Sequence, residues 1–253
     1  MNHRSLLRSS LLHALLAVAA ALASLGLAVS PAQAATVGSG KLAQETRTVG
    51  TFQAIAMTGS IDVEVRQGDK EAVEVSADDN LLPLIETVVE SGAAGPTLMV
   101  RFKRGENLRI KSPVKVRVQV VKLGALSSSG SGDVSVQALK TPALRLSISG
   151  TSDARLSELA TDSLEVRIAG AGDVQASGQA RQLKVAIAGS GDVRLEQLQA
   201  DDVNVSIAGS GDAKVRADKS LGVSIAGSGD VEYSGAVTAV RSSVAGSGRV
   251  IRR

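Results

Sequence analysis

The stretch that decides the fold is Leu183-Lys-Val-Ala-Ile-Ala-Gly-Ser-Gly-Asp-Val193. The same pattern recurs along residues 126–253, with its fourth motif position spaced 18 to 20 residues apart. Six further copies lie at Ser129 to Asp133, Leu144 to Ala154, Leu164 to Val174, Val203 to Ala213, Leu221 to Val231 and Gly246 to Arg249. Seven Gly-x-Gly-Asp repeats at this spacing indicate one small structural unit that is stacked on itself.

Apolar and polar residues alternate within each copy, as in Leu164, Val166 and Ile168. A period of two is typical of a β-strand with one buried face. Glycine permits a sharp bend and a close backbone approach where a Cβ would clash. Each repeat is therefore predicted to be a strand, a glycine corner and a second strand, followed by a short third element such as residues 196–198. The predicted corner glycines are Gly130, Gly132, Gly170, Gly172, Gly189, Gly191, Gly209, Gly211, Gly227, Gly229, Gly246 and Gly248.

A unit of this size cannot bury its own apolar face, but stacked copies can bury it together. The predicted interior columns are Ile148, Ile168, Ile187, Ile207, Ile225, Val244 and Leu146, Val166, Val185, Val205, Val223, Ser242. The sequence thus predicts an all-β, right-handed parallel β-solenoid with coils of about 19 to 20 residues. The handedness follows the general rule for parallel crossovers. The alternative is an up-and-down barrel or sandwich with hairpins at the glycines.

The part before the repeats is β-rich but irregular. Residues 35–47 are an N-terminal extension, and residues 48–125 are predicted to form irregular coils and a cap that are continuous with the repeats. Alternation predicts strands at Phe52 to Met57, Ile61 to Arg66, Ala72 to Ser76, Thr97 to Phe102 and Val114 to Val121. The acidic run at residues 78–80, followed by Leu81 to Val89 with Pro83 in its first turn, predicts one short helix.

Residues 1–34 have the pattern of a secretory signal peptide. Arg4 and Arg8 form a positive start, and Leu11 to Val29 is an apolar run. Pro31 and Ala32-Gln33-Ala34 then supply a small-x-small cleavage site. An uncleaved anchor is the alternative, because the run nearly reaches spanning length. We expect an exported protein, periplasmic or at the cell surface, with no transmembrane segment in the mature chain.

Composition narrows the possible chemistry. The only histidines, His3 and His13, lie in the segment expected to be removed, and there is no cysteine. The mature chain then has no His or Cys nucleophile, no zinc ligands of those types and no disulfide. Without the two arginines of the signal it carries 26 basic and 25 acidic residues, so we expect no nucleic-acid partner. The aromatic residues are Phe52, Phe102 and Tyr233, which are too few to form stacking platforms for single-stranded nucleic acid or for sugar rings.

The chain resembles a known family at Ala54-Ile-Ala-Met-Thr-Gly-Ser-Ile-Asp-Val-Glu-Val-Arg-Gln-Gly68, at Pro113 to Val118 and at the serial Gly-Ser-Gly-Asp-Val motifs. It is similar there to the DUF2807 family, the putative autotransporter adhesin head GIN domain, over residues 48–253. The resemblance implies an exported β-helical domain of bacterial envelopes with no established biochemical activity. The sequence departs from an autotransporter in showing no C-terminal membrane barrel and in ending in Ile251-Arg-Arg253 rather than an aromatic residue, so we do not expect self-transport.

The motif aspartates should stack in one outward column, and neighbouring like charges repel there. One hypothesis is structural: each Asp accepts backbone N–H bonds at its own glycine corner. The other is a row of weak Ca²⁺ sites, since carboxylate and carbonyl oxygens are hard ligands. The candidate calcium ligands are Asp133, Asp173, Asp192, Asp212 and Asp230, with Asp153 from the weaker copy completing the column. The structural hypothesis is favoured. Calcium-binding solenoids with the Gly-Gly-x-Gly-x-Asp motif use a nine-residue repeat, and the repeat here is about twice that length.

Paired carboxylates could cleave sugars, but the adjacent pairs Asp201-Asp202 and Asp78-Asp79 look like turn or helix-start residues. We therefore expect no catalysis and no cofactor. The sequence favours a structural or binding module of the cell envelope, similar to an adhesin. A periplasmic scaffold or sensor is the first alternative, and a polysaccharide-active enzyme is the second. The expected partner is an envelope or cell-surface protein or glycan. Assembly into a homo-oligomer is a further alternative.

Overall fold

The computed structural model describes residues 35–253. The predicted signal peptide, residues 1–34, lies outside the described residues. The described chain is a parallel β-solenoid built almost entirely of strands, which confirms the predicted fold class. Within residues 35–253 no helix is long and apolar enough to cross a membrane.

The first half of the described chain contains nine strands and one turn of 3₁₀ helix. The strands are β1 (Thr36–Val37), β2 (Leu42–Arg47), β3 (Ala54–Gly59), β4 (Asp62–Gln67), β5 (Ala72–Asp78), β6 (Ile85–Gly92), β7 (Gly95–Phe102), β8 (Leu108–Arg109) and β9 (Lys115–Val120). The 3₁₀ turn is Leu82–Leu84. All five strands predicted from alternation are present, with shifted ends.

The repeats form the second half. The strands are β10 (Ala125–Gly130), β11 (Val134–Gln137), β12 (Lys140–Gly150), β13 (Ala154–Gly170), β14 (Val174–Gly189), β15 (Val193–Gly209), β16 (Ala213–Gly227), β17 (Val231–Ser234), β18 (Ala239–Gly246) and β19 (Val250–Arg252). In the central coils, the second strand, the third element and the next first strand merge into one element of 15 to 17 residues. A coil is thus a nearly continuous strand that is bent and bulged rather than three separate pieces.

Successive coils pair in parallel, and equivalent residues face each other. Ile168 pairs with Ile148 and Ile187, and Val166 pairs with Leu146 and Val185. The same register continues to the last coil, so the alignment of both predicted columns is confirmed, whereas their last members, Val244 and Ser242, are exposed. The stacked side chains from residues 144 to 225 are buried and form one core. A narrow interior filled by aliphatic residues fits the scarcity of aromatic ones.

The irregular N-terminal part supplies the coils that lie before the first repeat. Strands β3 and β4 pair in parallel with β10 and β11, and on their other side with β7 and β9. The next layer is antiparallel: β6 pairs with β7, and β5 pairs with both β9 and β2. This layer covers the interior at that end, where Val73, Val75 and Leu98 are fully buried.

The helix predicted over residues 81–89 is wrong. Only Leu82–Leu84 makes a helical turn, and Ile85–Gly92 is strand β6. Thr87, Val88 and Val89 are β-branched, which favours the strand, and β7 provides an antiparallel partner.

The acidic run Asp78-Asp79-Asn80 also does not start a helix. Asp78 is fully buried and accepts the N–H of Gly40, while Asp79 accepts the hydroxyl of Ser39. Asn80 accepts the N–H of Ser39 and donates to the carbonyl of residue 37. The three polar side chains therefore fasten residues 37–41 to the body of the solenoid.

Candidate functional site

The motif aspartates form a directional hydrogen-bonded ladder. The carboxylate of each accepts the backbone N–H of the residue at the same position in the next coil. The N to Oδ1 distances are 3.1 Å for Asp133 to Asp62, 3.4 Å for Asp153 to Asp133, 3.0 Å for Asp173 to Asp153, 3.0 Å for Asp192 to Asp173, 3.0 Å for Asp212 to Asp192, 2.7 Å for Asp230 to Asp212 and 2.9 Å for Arg249 to Asp230.

This geometry shows how like charges can stack. Each negative carboxylate lies against a backbone N–H dipole, and a hydrogen bond to the charged form stabilises that form. The donor belongs to the next coil, whereas the sequence analysis placed it at the aspartate's own glycine corner. The carboxylates thus hold neighbouring coils together instead of closing one turn.

Asp62 is a member of the ladder that the sequence analysis missed. It lies in Gly59-Ser-Ile-Asp62, where Ile61 replaces the second glycine. Gly59 pairs with Gly130, and the N–H of Asp133 reaches the Asp62 carboxylate. The Gly-Ser-Ile-Asp motif could have identified Asp62 from the sequence. However, Asp62 lies 71 residues before the next motif aspartate, Asp133, well outside the spacing of the repeats.

The ladder ends in a cation. Arg249 donates its backbone N–H and its guanidinium to Asp230, with Nη2 2.6 Å from Oδ2. The hydrogen bond from the Arg249 side chain holds the pKa of the Asp230 carboxyl below its usual value. The stacking that the repeat predicts for Arg249 is therefore present at the last coil.

The corner glycines face the backbone of the preceding coil. At the first glycine of the motif the backbone has a positive φ, 142° at Gly170 and 135° at Gly189. At the second glycine, as at Gly191 and Gly211, a Cβ would overlap the carbonyl oxygen of the previous corner. Both positions favour glycine, the first for its conformation and the second for space. The same crowding against the preceding backbone occurs at Gly130, Gly132, Gly170, Gly172, Gly189, Gly209, Gly227, Gly229, Gly246 and Gly248.

At one corner the second motif position is not glycine, and a smaller residue in the core makes room for its side chain. Ser152 replaces the second glycine and is fully buried. In the regular coils that position faces an isoleucine of the previous coil: a Cβ on Gly172 would lie 3.0 Å from Ile148 Cγ2. For Ser152 the facing residue is Ser128, and the Ser128 hydroxyl donates to Ser152 Oγ at 2.6 Å. Two serines thus replace an isoleucine and a glycine.

The calcium hypothesis gains no ligand cluster from this arrangement. Among residues 35–253 no group of three or more acidic, histidine or cysteine side chains is placed to hold a metal ion. Asp133, Asp173, Asp192, Asp212 and Asp230 each have one oxygen on a backbone N–H. Arg194 also contacts two neighbours in the ladder, with Nη1 3.2 Å from Asp173 and Nη2 3.7 Å from Asp192. Calcium binding stays a prediction for experiment.

The adjacent carboxylate pairs have local partners. Asp201 and Asp202 lie inside strand β15 and not in a turn. Asp201 accepts Lys219 Nζ at 2.8 Å, and Asp202 accepts the Ser220 hydroxyl at 2.6 Å. The Asp201 carboxylate raises the pKa of Lys219. Asp78 is buried, so neither pair presents two free carboxylates to a sugar.

An open groove of about 550 Å³ runs along one side of the solenoid, across several coils. It is lined by Lys140, Thr141, Pro142, Ala160, Thr161, Asp162, Gln179, Ala180, Arg181, Gln199, Asp201 and Asp218. We call it the polar groove. The register places Ala160 against Gln179, Thr161 against Ala180, and Gln179 against Gln199, so its polar side chains stand at successive levels of the stack.

The fold and the ladder define a class: a parallel β-solenoid whose coils are joined at Gly-x-Gly-Asp corners. The chain belongs to the DUF2807 family, described as "Putative auto-transporter adhesin, head GIN domain", whose model matches residues 51–237. No relative among curated proteins matches the sequence.

Solved structures share the fold. The chain is similar to a "putative adhesin" from Bacteroides fragilis, with 24% identity, 86% of this chain and 100% of that chain covered, and a TM-score of 0.79. It is also similar to a "putative adhesin" from Parabacteroides merdae, with 25% identity, 86% and 98% covered, and a TM-score of 0.68. A "putative lipid binding protein" from Parabacteroides distasonis shares 24% identity, 87% and 100% coverage, and a TM-score of 0.69.

Proposed function

We propose that the protein is an exported, non-catalytic binding module of the bacterial cell envelope, acting in the manner of an adhesin. The family description and the structural neighbours support an adhesin-like role. The signal-peptide pattern of residues 1–34 supports export. The partner is an envelope or cell-surface protein or glycan. No catalytic constellation is part of the proposal, because the ladder carboxylates are used to join coils.

The observation that carries the proposal is the polar groove. Its side chains offer hydroxyl, amide, carboxylate and cationic groups, and coils in a parallel sheet are about 4.8 Å apart. Arg181 pairs with Asp162 at 2.5 Å, and the groove residue Asp201 pairs with Lys219 at 2.8 Å, so each ion pair joins neighbouring coils. Rows of polar groups at a regular spacing suit a polymer with repeated hydroxyl or amide groups, such as an envelope glycan.

The first experiment tests location. The full chain is expressed with a C-terminal tag in its own bacterium, and intact cells are treated with a protease. Loss of the tag signal on intact cells supports surface exposure and the adhesin role. Protection of the tag until the outer layer is opened contradicts that role and favours the alternative of a periplasmic scaffold or sensor.

The second experiment tests the polar groove. The purified mature chain is titrated onto isolated envelope glycan, and binding is compared with that of Thr161→Arg and Gln179→Arg. We expect both groove variants to bind at least about tenfold more weakly, because a long cation fills the groove at its centre. Ser206→Arg, on an exposed position outside the groove, is the matched control and should bind normally. Equal binding by all four proteins would refute the role of the groove.

A further inference from the structure

We infer that the C-terminal edge of the solenoid is a docking site for an extended acidic segment of a partner polypeptide, which adds to it as one more coil. The C-terminal edge is defined as strands β18 and β19, residues 239–253. This surface is separate from the polar groove, so the inference stands independently of the proposed function.

The two ends of the solenoid differ in how their interior is covered. At the first end the antiparallel strands β2, β5 and β6 close over the core. At the C-terminal edge every residue of β18 is exposed, although the register places Val240, Ser242 and Val244 in line with buried residues of the preceding coil. Val240 is 41% exposed and Val244 is 42% exposed, whereas the equivalent Leu221 and Ile225 are buried. Two aliphatic side chains of the core are thus uncovered.

The backbone at this edge is also ready for a further strand. In the earlier coils the carbonyl of the first corner glycine accepts an N–H from the next coil, as Gly227 accepts that of Ser247 at 3.0 Å. The residue after the motif position donates to the next coil, as Val231 donates to Arg249 at 2.8 Å. Gly246 and Val250 hold the same positions in the last coil, and within residues 35–253 no coil follows them. Such an edge is a template for β-strand addition.

Charge identifies the chemistry of the partner. Residues 239–253 contain Arg241, Arg249, Arg252 and Arg253 and no acidic residue. Arg249 and Arg253 pair back to Asp230 at 2.6 Å and Glu232 at 2.7 Å. Within the described chain, Arg241 and Arg252 form no ion pair. A second copy of the same edge would bring four more arginines and no carboxylate, so its charge does not complement this surface.

The protein contains an internal precedent for the acidic segment. Arg145 occupies the same outward column as Arg241, and the coil stacked above it places Glu165 against Arg145 at 2.9 Å. An incoming strand with the pattern of residues 164–176 would place its own glutamate over Arg241 and its own motif aspartate over Arg249. Its apolar residues would cover Val240 and Val244.

The experiment uses that strand as the probe. A blocked, fluorescently labelled peptide of residues 164–176, carrying Arg167→Ser to match Ser206 of the same column, is titrated with the purified mature protein. We expect saturable binding that weakens with salt. A control peptide that also carries Glu165→Gln and Asp173→Asn should bind at least about tenfold more weakly.

Variants of the protein locate the binding. Val244→Lys places a cation on the inward apolar position, where the incoming strand would bury it unpaired, and should weaken binding at least about tenfold. Ser243→Lys adds the same charge on the neighbouring outward position and should bind within about twofold of the parent protein. Hydrogen exchange should show new amide protection in residues 240–250 when the peptide is bound.

Three results of the peptide titrations would overturn the inference: no binding, equal binding of the acidic and neutral peptides, or equal effects of Val244→Lys and Ser243→Lys. Sedimentation without peptide tests the other occupant. A dimer that Val244→Lys dissociates would show that a second copy covers the edge, which also overturns the inference.

Discussion

The buried serine pair makes a strong test of the packing rule at the corners. Ser152→Gly removes the partner of the Ser128 hydroxyl, which is 1% exposed and donates at 2.6 Å. An orphaned buried hydroxyl destabilises by about 1–3 kcal/mol. Ser128→Ile places a branched side chain where Ser152 already lies. Overpacking of about 1–3 kcal/mol adds there to a second orphaned hydroxyl of similar magnitude.

The double variant should behave very differently. Ser128→Ile with Ser152→Gly recreates the pair found in the next coil, where Ile148 faces Gly172. Both deficits then disappear, so the double variant should lie within about 1 kcal/mol of the parent protein or above it. The two substitutions are therefore expected to deviate from additivity by at least about 2 kcal/mol, and residues in contact couple on this scale.

Urea unfolding of the four proteins measures this deviation directly. The slope m should be shared, because the surface exposed on unfolding hardly changes. In thermal unfolding each kcal/mol should appear as about 2–4 °C for a chain of this size. The parent protein and the double variant should unfold together, with both single variants well below them. Additive losses, or a double variant weaker than either single one, would refute the reasoning that the isoleucine and the second glycine occupy one shared space.

Four further predictions test the core, the ends and the ladder. Ile207→Asp buries an unpaired charge and should lower the free energy of unfolding measured in urea by several kcal/mol, whereas Ser206→Asp, outward on the same strand, should leave it nearly unchanged. Arg249→Asp should destabilise more than Arg249→Ala, and the difference should shrink at high salt; identical behaviour of the two variants at both salts would contradict the ladder's end. Hydrogen bonds from Ser112 lower the pKa of Asp78 below its ordinary value of 3.8. The ionised carboxylate therefore adds to the free energy of unfolding above that pH, and this stabilisation is lost as the pH falls through the lowered pKa. Asp78→Asn should make the free energy of unfolding depend less on pH in acid. Adding about 1 mM Ca²⁺ should leave the melting temperature unchanged, and a rise of many degrees would establish calcium binding.

Most of the fold could be predicted from the repeated sequence motif. The spacing of the Gly-x-Gly-Asp motifs set the register, and the alternation around Ile187 set the buried face, because stacked coils must align equivalent residues. The secondary structure of residues 85–92 was harder to predict. Its strand depends on the partner β7, and a short apolar run beside Pro83 fits a helix or a strand equally well until that partner is known.

The ladder was predictable only in part. The column of aspartates followed from the repeat, and so did the contact between Arg249 and Asp230. The acceptor role toward the next coil did not, because sequence cannot tell a local turn from a contact 18 to 20 residues away. Asp62 was hidden by the long insertion that separates β4 from β10.

The direction of the aspartate ladder has a consequence for how such a protein can change in length. Each coil brings one carboxylate for its successor and one backbone N–H for its predecessor, so a whole coil can be duplicated or deleted without leaving either group unmatched. Only the two end members differ from this pattern: the N–H of Asp62 donates to the carbonyl of Val114, and Arg249 brings a guanidinium in place of a carboxylate. Evolution can therefore lengthen the solenoid in steps of one coil, with the free energy of unfolding changing by a roughly constant increment. The hydrogen-bonding partners at the two ends of the ladder stay the same.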